Sequence, residues 1–149
     1  MPRRERFSTI GLFENAVYAG IPEALAELRS RGFRLFVATS KPETYAVRIL
    51  EHFQLDSYFQ HIYGCELDGT RSEKAEVIAY LLEREQIKAE TAIMIGDRLH
   101  DIRGAHANQM RAIGVLYGFG SADELEQAGA DALCPSVAEL PDVVARLAR

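Results

Sequence analysis

Two hydrophobic patterns alternate along this chain. Short, nearly continuous apolar runs are typical of strands buried on both faces of a parallel sheet, whereas apolar residues spaced three and four apart are typical of helices covering such a sheet. The runs predict strands at Phe33–Ala38, His61–Gly64, Ala92–Ile95, Arg111–Val115 and Ala132–Cys134. The helical spacing predicts helices at Pro22–Ser30, Glu43–Phe53, Glu73–Glu85, Asp101–Asn108 and Val137–Leu147. This alternation indicates βαβ units, and therefore an α/β fold with a parallel sheet.

The first nineteen residues fit this alternation poorly. Their apolar side chains, between Phe7 and Tyr18, suggest one amphipathic segment, but Gly11 interrupts it. We therefore predict that residues 1–19 belong to another structural unit, and that residues 20–149 form the α/β core.

Composition narrows the possible classes of protein. A chain of 149 residues with 48% hydrophobic residues suits one domain with a buried core. A formal charge of −5 argues against general binding of a nucleic-acid polymer, which depends on neutralising phosphates with basic side chains. No apolar run has membrane-spanning length. Cys65 and Cys134 lack the spacing of a metal site, so we expect a reducing, cytoplasmic location.

An acidic pair follows one of the predicted strands. The run Ala92–Ile95 breaks at Gly96, and Asp97 and Asp101 follow four residues apart. Ligands of open α/β sheets bind at the carboxyl ends of strands, and carboxylate oxygens are ligands that Mg²⁺ takes together with substrate phosphate. The pair therefore predicts a magnesium site for phosphate chemistry, although Gly-Asp followed by Asp is also compatible with a turn and a helix cap.

Two further polar features fall at strand ends or helix starts. Thr39 and Ser40 end a predicted strand, where hydroxyl and backbone N–H groups could hold phosphate oxygens. Lys74 begins a helix, where an ammonium group could neutralise the charge of a phosphoryl group. Each feature alone also suits a structural cap or a solvated charge. Their combination and chain order favour a phosphate site.

In this combination the chain resembles the haloacid dehalogenase-like phosphohydrolases, and within them the branch of phosphoglycolate phosphatases and 5′-nucleotidases. The passages that carry the resemblance are Val37–Pro42, Arg71–Lys74, Ile95–Asp101, Tyr117–Ser121 and Ala128–Asp131. The resemblance runs from about Gly11 to Leu140. It implies a three-layer, Rossmann-like core.

The resemblance also implies roles for these residues. Thr39, with Ser40 beside it, would bind the transferring phosphoryl group, and Lys74 would stabilise its charge and orient the nucleophile. Asp97 would ligate Mg²⁺, and Asp101 would support the metal directly or through water. The reaction implied is hydrolysis of a small phosphorylated metabolite or nucleotide, such as phosphoglycolate or a nucleoside 5′-monophosphate, through an aspartyl-phosphate.

The chain departs from the family at its first motif, Asp-x-Asp-Gly-Thr, whose first aspartate is the nucleophile. Residues 1–19 contain no aspartate. The segment Phe7–Tyr18 instead resembles the end of the helical cap that follows the first strand. We therefore expect a core that lacks its central first strand and most of its cap. Two inner sheet edges would then be unpaired, and we expect marginal stability and little activity.

A short passage, Glu66–Thr70, imitates the missing motif with a glutamate in the place of the nucleophile. We interpret it as a turn at Asp68-Gly69, because it follows the Thr39 strand rather than preceding it.

Two other functions are compatible with the sequence. The first is a remnant without catalysis that binds phosphate, metal or a protein partner. The second is a receiver-like domain phosphorylated at Asp97, which the positions of Thr39 and Lys74 earlier in the chain disfavour.

Overall fold

The computed structural model describes the backbone of residues 6–11, and residues 20–71, 73–117 and 120–148. Its strands are β1 (Arg6–Gly11), β2 (Phe33–Pro42), β3 (His61–Cys65), β4 (Ala92–Gly96), β5 (Arg111–Val115) and β6 (Ala132–Cys134). Its helices are α1 (Ile21–Ser30), α2 (Glu43–His52), α3 (Lys74–Glu85), α4 (Leu99–Ala107), α5 (Ala122–Gln127) and α6 (Leu140–Leu147). Short 3₁₀ turns lie at Asp56–Tyr58, Ala89–Thr91 and Val137–Glu139.

The six strands form one parallel sheet in the order β3-β2-β1-β4-β5-β6. This is the doubly wound order, in which the chain builds outward from β1 in one direction and then, from β4, in the other. The strand order therefore reverses between β1 and β4, and β2 is the next strand beyond β1. Ligands of open α/β sheets bind in the crevice at this point.

Alternate residues of the central strands point to opposite faces of the sheet and fill two separate cores. One core packs β2 and β4 against α1 and α6 through Leu25, Leu28, Leu35, Ile93, Ile95, Val143 and Val144. The other packs the same strands against α3, α4 and α5 through Phe36, Ala38, Ile78, Leu81, Met94, Ile102 and Leu125. The predicted three-layer α/β architecture is therefore confirmed.

The central position of the sheet differs from the sequence-based prediction. We expected the core to lack its first, central strand, but residues 6–11 fill that position as β1. Ile10 of β1 is in register with Val37 of β2 and with Ile95 of β4. The physical reason is that β2 and β4 would otherwise present unpaired backbone groups towards each other, so a strand between them is strongly favoured. Residues 6–11 thus belong to the sheet and not to a remnant of the cap, and residues 12–19 lie outside the described residues.

Several local boundaries differ from the prediction, among them β2, which runs on to Pro42, and α6, which begins at Leu140. Helix α3 begins at Lys74, and the backbone N–H of Glu73 donates to the Glu76 carboxylate at 3.3 Å. The N-cap residue of this helix is Glu73, which the prediction had placed inside the helix. Helix α4 begins at Leu99, two residues before the predicted start. Helix α5 was not predicted, although Ser121 caps it by accepting from the backbone N–H of Glu124 at 3.1 Å.

Two findings bear on the environment of the protein. Within residues 20–71, 73–117 and 120–148, no helix is both long enough and apolar enough to cross a membrane. Cys65 and Cys134 are both buried and both lack a disulfide partner.

Proline substitutions in β1 test the position of this strand. Ile10→Pro removes a backbone N–H from a residue that is in register with both neighbouring strands, and a buried acceptor left unpaired costs about 1–3 kcal/mol. Arg6→Pro is the matched control, because proline is tolerated at the first residue of a strand. We expect Ile10→Pro to lower the free energy of unfolding in urea much more than Arg6→Pro. Equal effects of the two prolines would contradict the central position of β1.

Candidate functional site

Strand β2 brings Thr39 to the carboxyl edge of the sheet. The strand is buried from Leu35 through Thr39, and Thr39 itself is only 2% exposed. Its hydroxyl oxygen accepts a hydrogen bond from the backbone N–H of Lys41 at 3.1 Å. This contact leaves the hydroxyl hydrogen to be donated elsewhere. The next residue, Ser40, is exposed at the same edge.

Lys74 reaches the same edge from the first residue of α3. Its ammonium forms a salt bridge of 2.6 Å with Oδ1 of Asp101 and donates to the carbonyl oxygen of Ala38 at 3.2 Å. The two charged side chains are only 10% and 5% exposed. Gly104 allows this close packing of α3 on α4, because a Cβ there would lie 3.0 Å from Cγ of Lys74.

The second oxygen of Asp101 holds the turn that carries Asp97. Oδ2 accepts from the backbone N–H of Asp97 at 3.1 Å and from that of Arg98 at 3.2 Å. Asp101 is the third residue of α4, where a carboxylate satisfies N–H groups that have no partner within the helix. Gly96 makes room for it, since a Cβ at that position would lie 2.2 Å from Cβ of Asp101.

Asp97 follows β4 and is itself buried, with 6% exposure. Asp101 links Asp97 to Lys74, because it contacts both the Lys74 ammonium and the Asp97 backbone. The structure thus links Lys74, Asp97 and Asp101 at one edge, and Lys74 in turn contacts Ala38, the residue before Thr39.

Gly120, near the end of the passage Tyr117–Ser121, and Glu124 of helix α5, which sequence reasoning missed, also contact this turn. The backbone N–H of Gly120 donates to the carbonyl oxygen of Asp97 at 2.9 Å. The Glu124 carboxylate accepts from the backbone N–H of Leu99 and from Nε of Arg98, both at 2.9 Å. The Arg98 guanidinium lowers the pKa of Glu124, so this carboxylate is charged at neutral pH. The pattern Ser121-x-x-Glu124, a capping box, is the sequence signal that could have identified this helix.

The imitation of the first motif is a turn, as predicted. Gly69 has a φ of +91°, and the Asp68 carboxylate accepts from the backbone N–H of Thr70 at 2.9 Å. Glu66, the residue in the place of the nucleophile, forms a salt bridge of 3.1 Å with Arg71. Hydrogen bonding by Thr70 lowers the pKa of Asp68.

The described residues offer few side-chain ligands for a metal ion. Among the described residues, no group of three or more His, Cys, Asp or Glu side chains could hold an ion. Both oxygens of Asp101 have protein partners.

Comparison with known proteins gives many relatives, and three of them show their range. A 5′-nucleotidase from Pseudomonas aeruginosa is 51% identical over 141 residues, which cover 95% of this chain and 64% of that protein. Tyrosine-protein kinase PtkA from Mycobacterium tuberculosis is 40% identical over 124 residues, covering 83% and 43% of the two chains. A phosphoglycolate phosphatase from Vibrio parahaemolyticus is 29% identical over 129 residues, covering 87% and 57%. This chain therefore spans less than two thirds of the length of each of these relatives.

Comparison of folds and of family profiles gives a consistent result. The crystal structure of a predicted phosphatase from Clostridium acetobutylicum matches with a TM-score of 0.85 and 49% identity, covering 87% of this chain and 60% of that one. The profile of a family described as haloacid dehalogenase-like hydrolase matches residues 6–115. Because this match covers well over half of the 149 residues, the chain belongs to the haloacid dehalogenase-like hydrolases.

Proposed function

We propose that this chain supplies the phosphate-binding and metal-binding residues of a hydrolase acting on small phosphate monoesters. The observation that carries the proposal is the buried bridge from Lys74 to Asp101, which joins a cation at the start of α3 to the turn bearing Asp97. In support, relatives are named 5′-nucleotidase and phosphoglycolate phosphatase. We therefore propose a nucleoside 5′-monophosphate or phosphoglycolate as the substrate, and a reducing, cytoplasmic location, which the two unpaired thiols support.

Phosphate would be held by donors that the edge of the sheet presents. The Lys74 ammonium has three N–H donors, and Asp101 and Ala38 take two of them. We assign the third donor to a phosphoryl oxygen. Thr39 would donate its hydroxyl hydrogen to the same group, because its oxygen already accepts from Lys41, and exposed Ser40 would lie beside it.

Mg²⁺ fits this site with one protein carboxylate rather than two. Magnesium in such sites is bound by one or two carboxylates together with substrate phosphate. Asp97 is the residue that would ligate it, and when bound the ion would neutralise charge on the phosphoryl oxygens. We assign Asp101 a different role from the one that the resemblance implies, because its oxygens are taken by Lys74 and two backbone amides. Asp101 would position the other groups.

The covalent step needs a carboxylate that attacks phosphorus while the ester oxygen leaves as an alcohol and takes up a proton. In the family this carboxylate follows the central strand, but here β1 ends at Ile10-Gly11, and the sequence contains no aspartate before Asp56. We therefore propose turnover through an aspartyl-phosphate only when the nucleophile is added. Binding of phosphate without turnover is the second candidate function of this chain. The lack of an aspartate before Asp56 in the sequence favours it.

The Lys74–Asp101 pair should be coupled in stability. Removing one partner of a buried ion pair costs about 3–5 kcal/mol, because an uncompensated charge remains. We expect Asp101→Asn and Lys74→Met each to be strongly destabilising in urea. The double variant should cost less than their sum, with a coupling of about 1–3 kcal/mol. Asp142→Asn is the control, since it removes an exposed partner of Arg31 and should cost less than about 1 kcal/mol. Strict additivity would refute the pairing.

Phosphate binding can be measured on the chain itself. Orthophosphate with Mg²⁺ should raise the melting temperature, since a ligand that binds only the folded state stabilises it. Lys74→Met should abolish the rise and Lys88→Met, at an exposed position, should retain it. A rise that survives in Lys74→Met would place the anion elsewhere.

Turnover can be tested by adding the nucleophile. We expect the chain, extended by Asp-x-Asp-Gly-Thr inserted directly after β1, to release phosphate from phosphoglycolate or a nucleoside 5′-monophosphate in the presence of Mg²⁺, because β1 holds the central position of the sheet. In this background Asp97→Asn and Lys74→Ala should each lower kcat/KM by about 100-fold or more, because each removes charge stabilisation of the transition state. Asp142→Asn should leave kcat/KM unchanged. If the extended chain tolerates both site substitutions, the assignment of the site is wrong.

A further inference from the structure

Gly120 and helix α5, which follow β5 in the chain, contact the turn of Asp97 in addition to Asp101. The residues from Gly120 to Glu124 make two hydrogen bonds with the backbone of this turn. The N–H of Gly120 donates to the Asp97 carbonyl, and the Glu124 carboxylate accepts from the N–H of Leu99. Together with Asp101, these residues give a partner to each backbone N–H from Asp97 to Leu99.

The approach at Gly120 is too close for any side chain. A Cβ there would lie 2.0 Å from the Asp97 carbonyl oxygen and 3.0 Å from Oε2 of Glu124. The same oxygen of Glu124 accepts from both the Leu99 amide and the Arg98 guanidinium. The backbone from Asp97 to Leu99 is therefore hydrogen-bonded both to Asp101 and to the pair Gly120 and Glu124.

The charge of Glu124 suits this place. Leu99 is the first residue of α4, and its N–H has no acceptor within the helix. An anion at this end is favoured by the helix dipole, and the side chain of Glu124 is only 22% exposed. A neutral amide could keep a single hydrogen bond there but would lose the charge-assisted pair with Arg98.

We propose that Glu124 is a positioning residue for Asp97, which acts by fixing the backbone from Asp97 to Leu99 so that the carboxylate of Asp97 meets a divalent cation in the required direction. The inference rests on the proposed function, in which Asp97 ligates Mg²⁺. Residues outside the ligand shell that orient a ligand commonly change metal affinity by about 10- to 100-fold.

The test uses the full chain and two measurements. Glu124→Gln keeps the shape of the side chain and removes its charge, and Glu126→Gln on the same helix is the matched control at an exposed position. We expect Glu124→Gln to weaken Mg²⁺ binding, measured by calorimetry in the presence of orthophosphate, by about 10-fold or more. We also expect the Leu99 amide to exchange its hydrogen about 10-fold faster in NMR without metal. Glu126→Gln should change neither quantity.

The outcomes separate this inference from the proposed function. Unchanged Mg²⁺ affinity in Glu124→Gln, with binding intact in the unsubstituted chain, overturns the positioning role and reduces Glu124 to a structural contact. If the unsubstituted chain binds no Mg²⁺, the metal part of the proposed function fails. In that case the exchange rate of the Leu99 amide in Glu124→Gln decides whether Glu124 fixes the turn. An unchanged rate overturns the positioning role of Glu124. Arg98→Ala serves as the second variant if Glu124→Gln does not fold. It removes one of the two donors to Glu124 and keeps the Leu99 contact, so we expect a smaller loss of Mg²⁺ affinity.

Discussion

The buried carboxylate of Asp101 is the interaction on which the rest of the site depends. Transferring a charged group out of water costs several kcal/mol unless good partners replace the solvent. Here one oxygen faces the Lys74 ammonium and the other receives two backbone amides, so the carboxylate is satisfied by three donors. Because the donors come from α3 and from the turn after β4, this single carboxylate connects Lys74 to the turn that carries Asp97.

Close approach, rather than unusual backbone conformation, explains the glycines around this group. Gly96, Gly104 and Gly120 each lie where a Cβ would come within about 3 Å of Asp101, Lys74 or the Asp97 carbonyl. None of the three has a positive φ, unlike Gly69 in the turn after β3. The space that a side chain would fill is occupied by functional groups, so these glycines are required by packing at the site.

The sequence was sufficient where local pattern and burial agree. Strands such as Ala92–Gly96 are apolar throughout because both faces are covered, so the pattern predicts them and the parallel sheet. It was insufficient for Arg6–Gly11, whose mixed residues carry no such run and whose place is decided by the unpaired edges of β2 and β4. The role of Asp101 was also ambiguous. A carboxylate four residues after Asp97 suits either a metal ligand or the start of a helix, and the contact with Lys74, which comes from another helix, cannot be seen in the local sequence.

This division of roles has a consequence for the order of binding under the proposed function. The charge of Lys74 is compensated by Asp101 before any ligand arrives, and Arg98 is likewise compensated by Glu124. These four side chains and the carboxylate of Asp97 together carry one net negative formal charge, which does not attract a dianionic phosphate approaching the edge. A divalent cation bound at Asp97 reverses the sign of the local charge, which dominates the electrostatics of a site of this kind. The cation should therefore bind before the phosphate or together with it, with Lys74 acting at short range as a hydrogen-bond donor rather than as a long-range attractant.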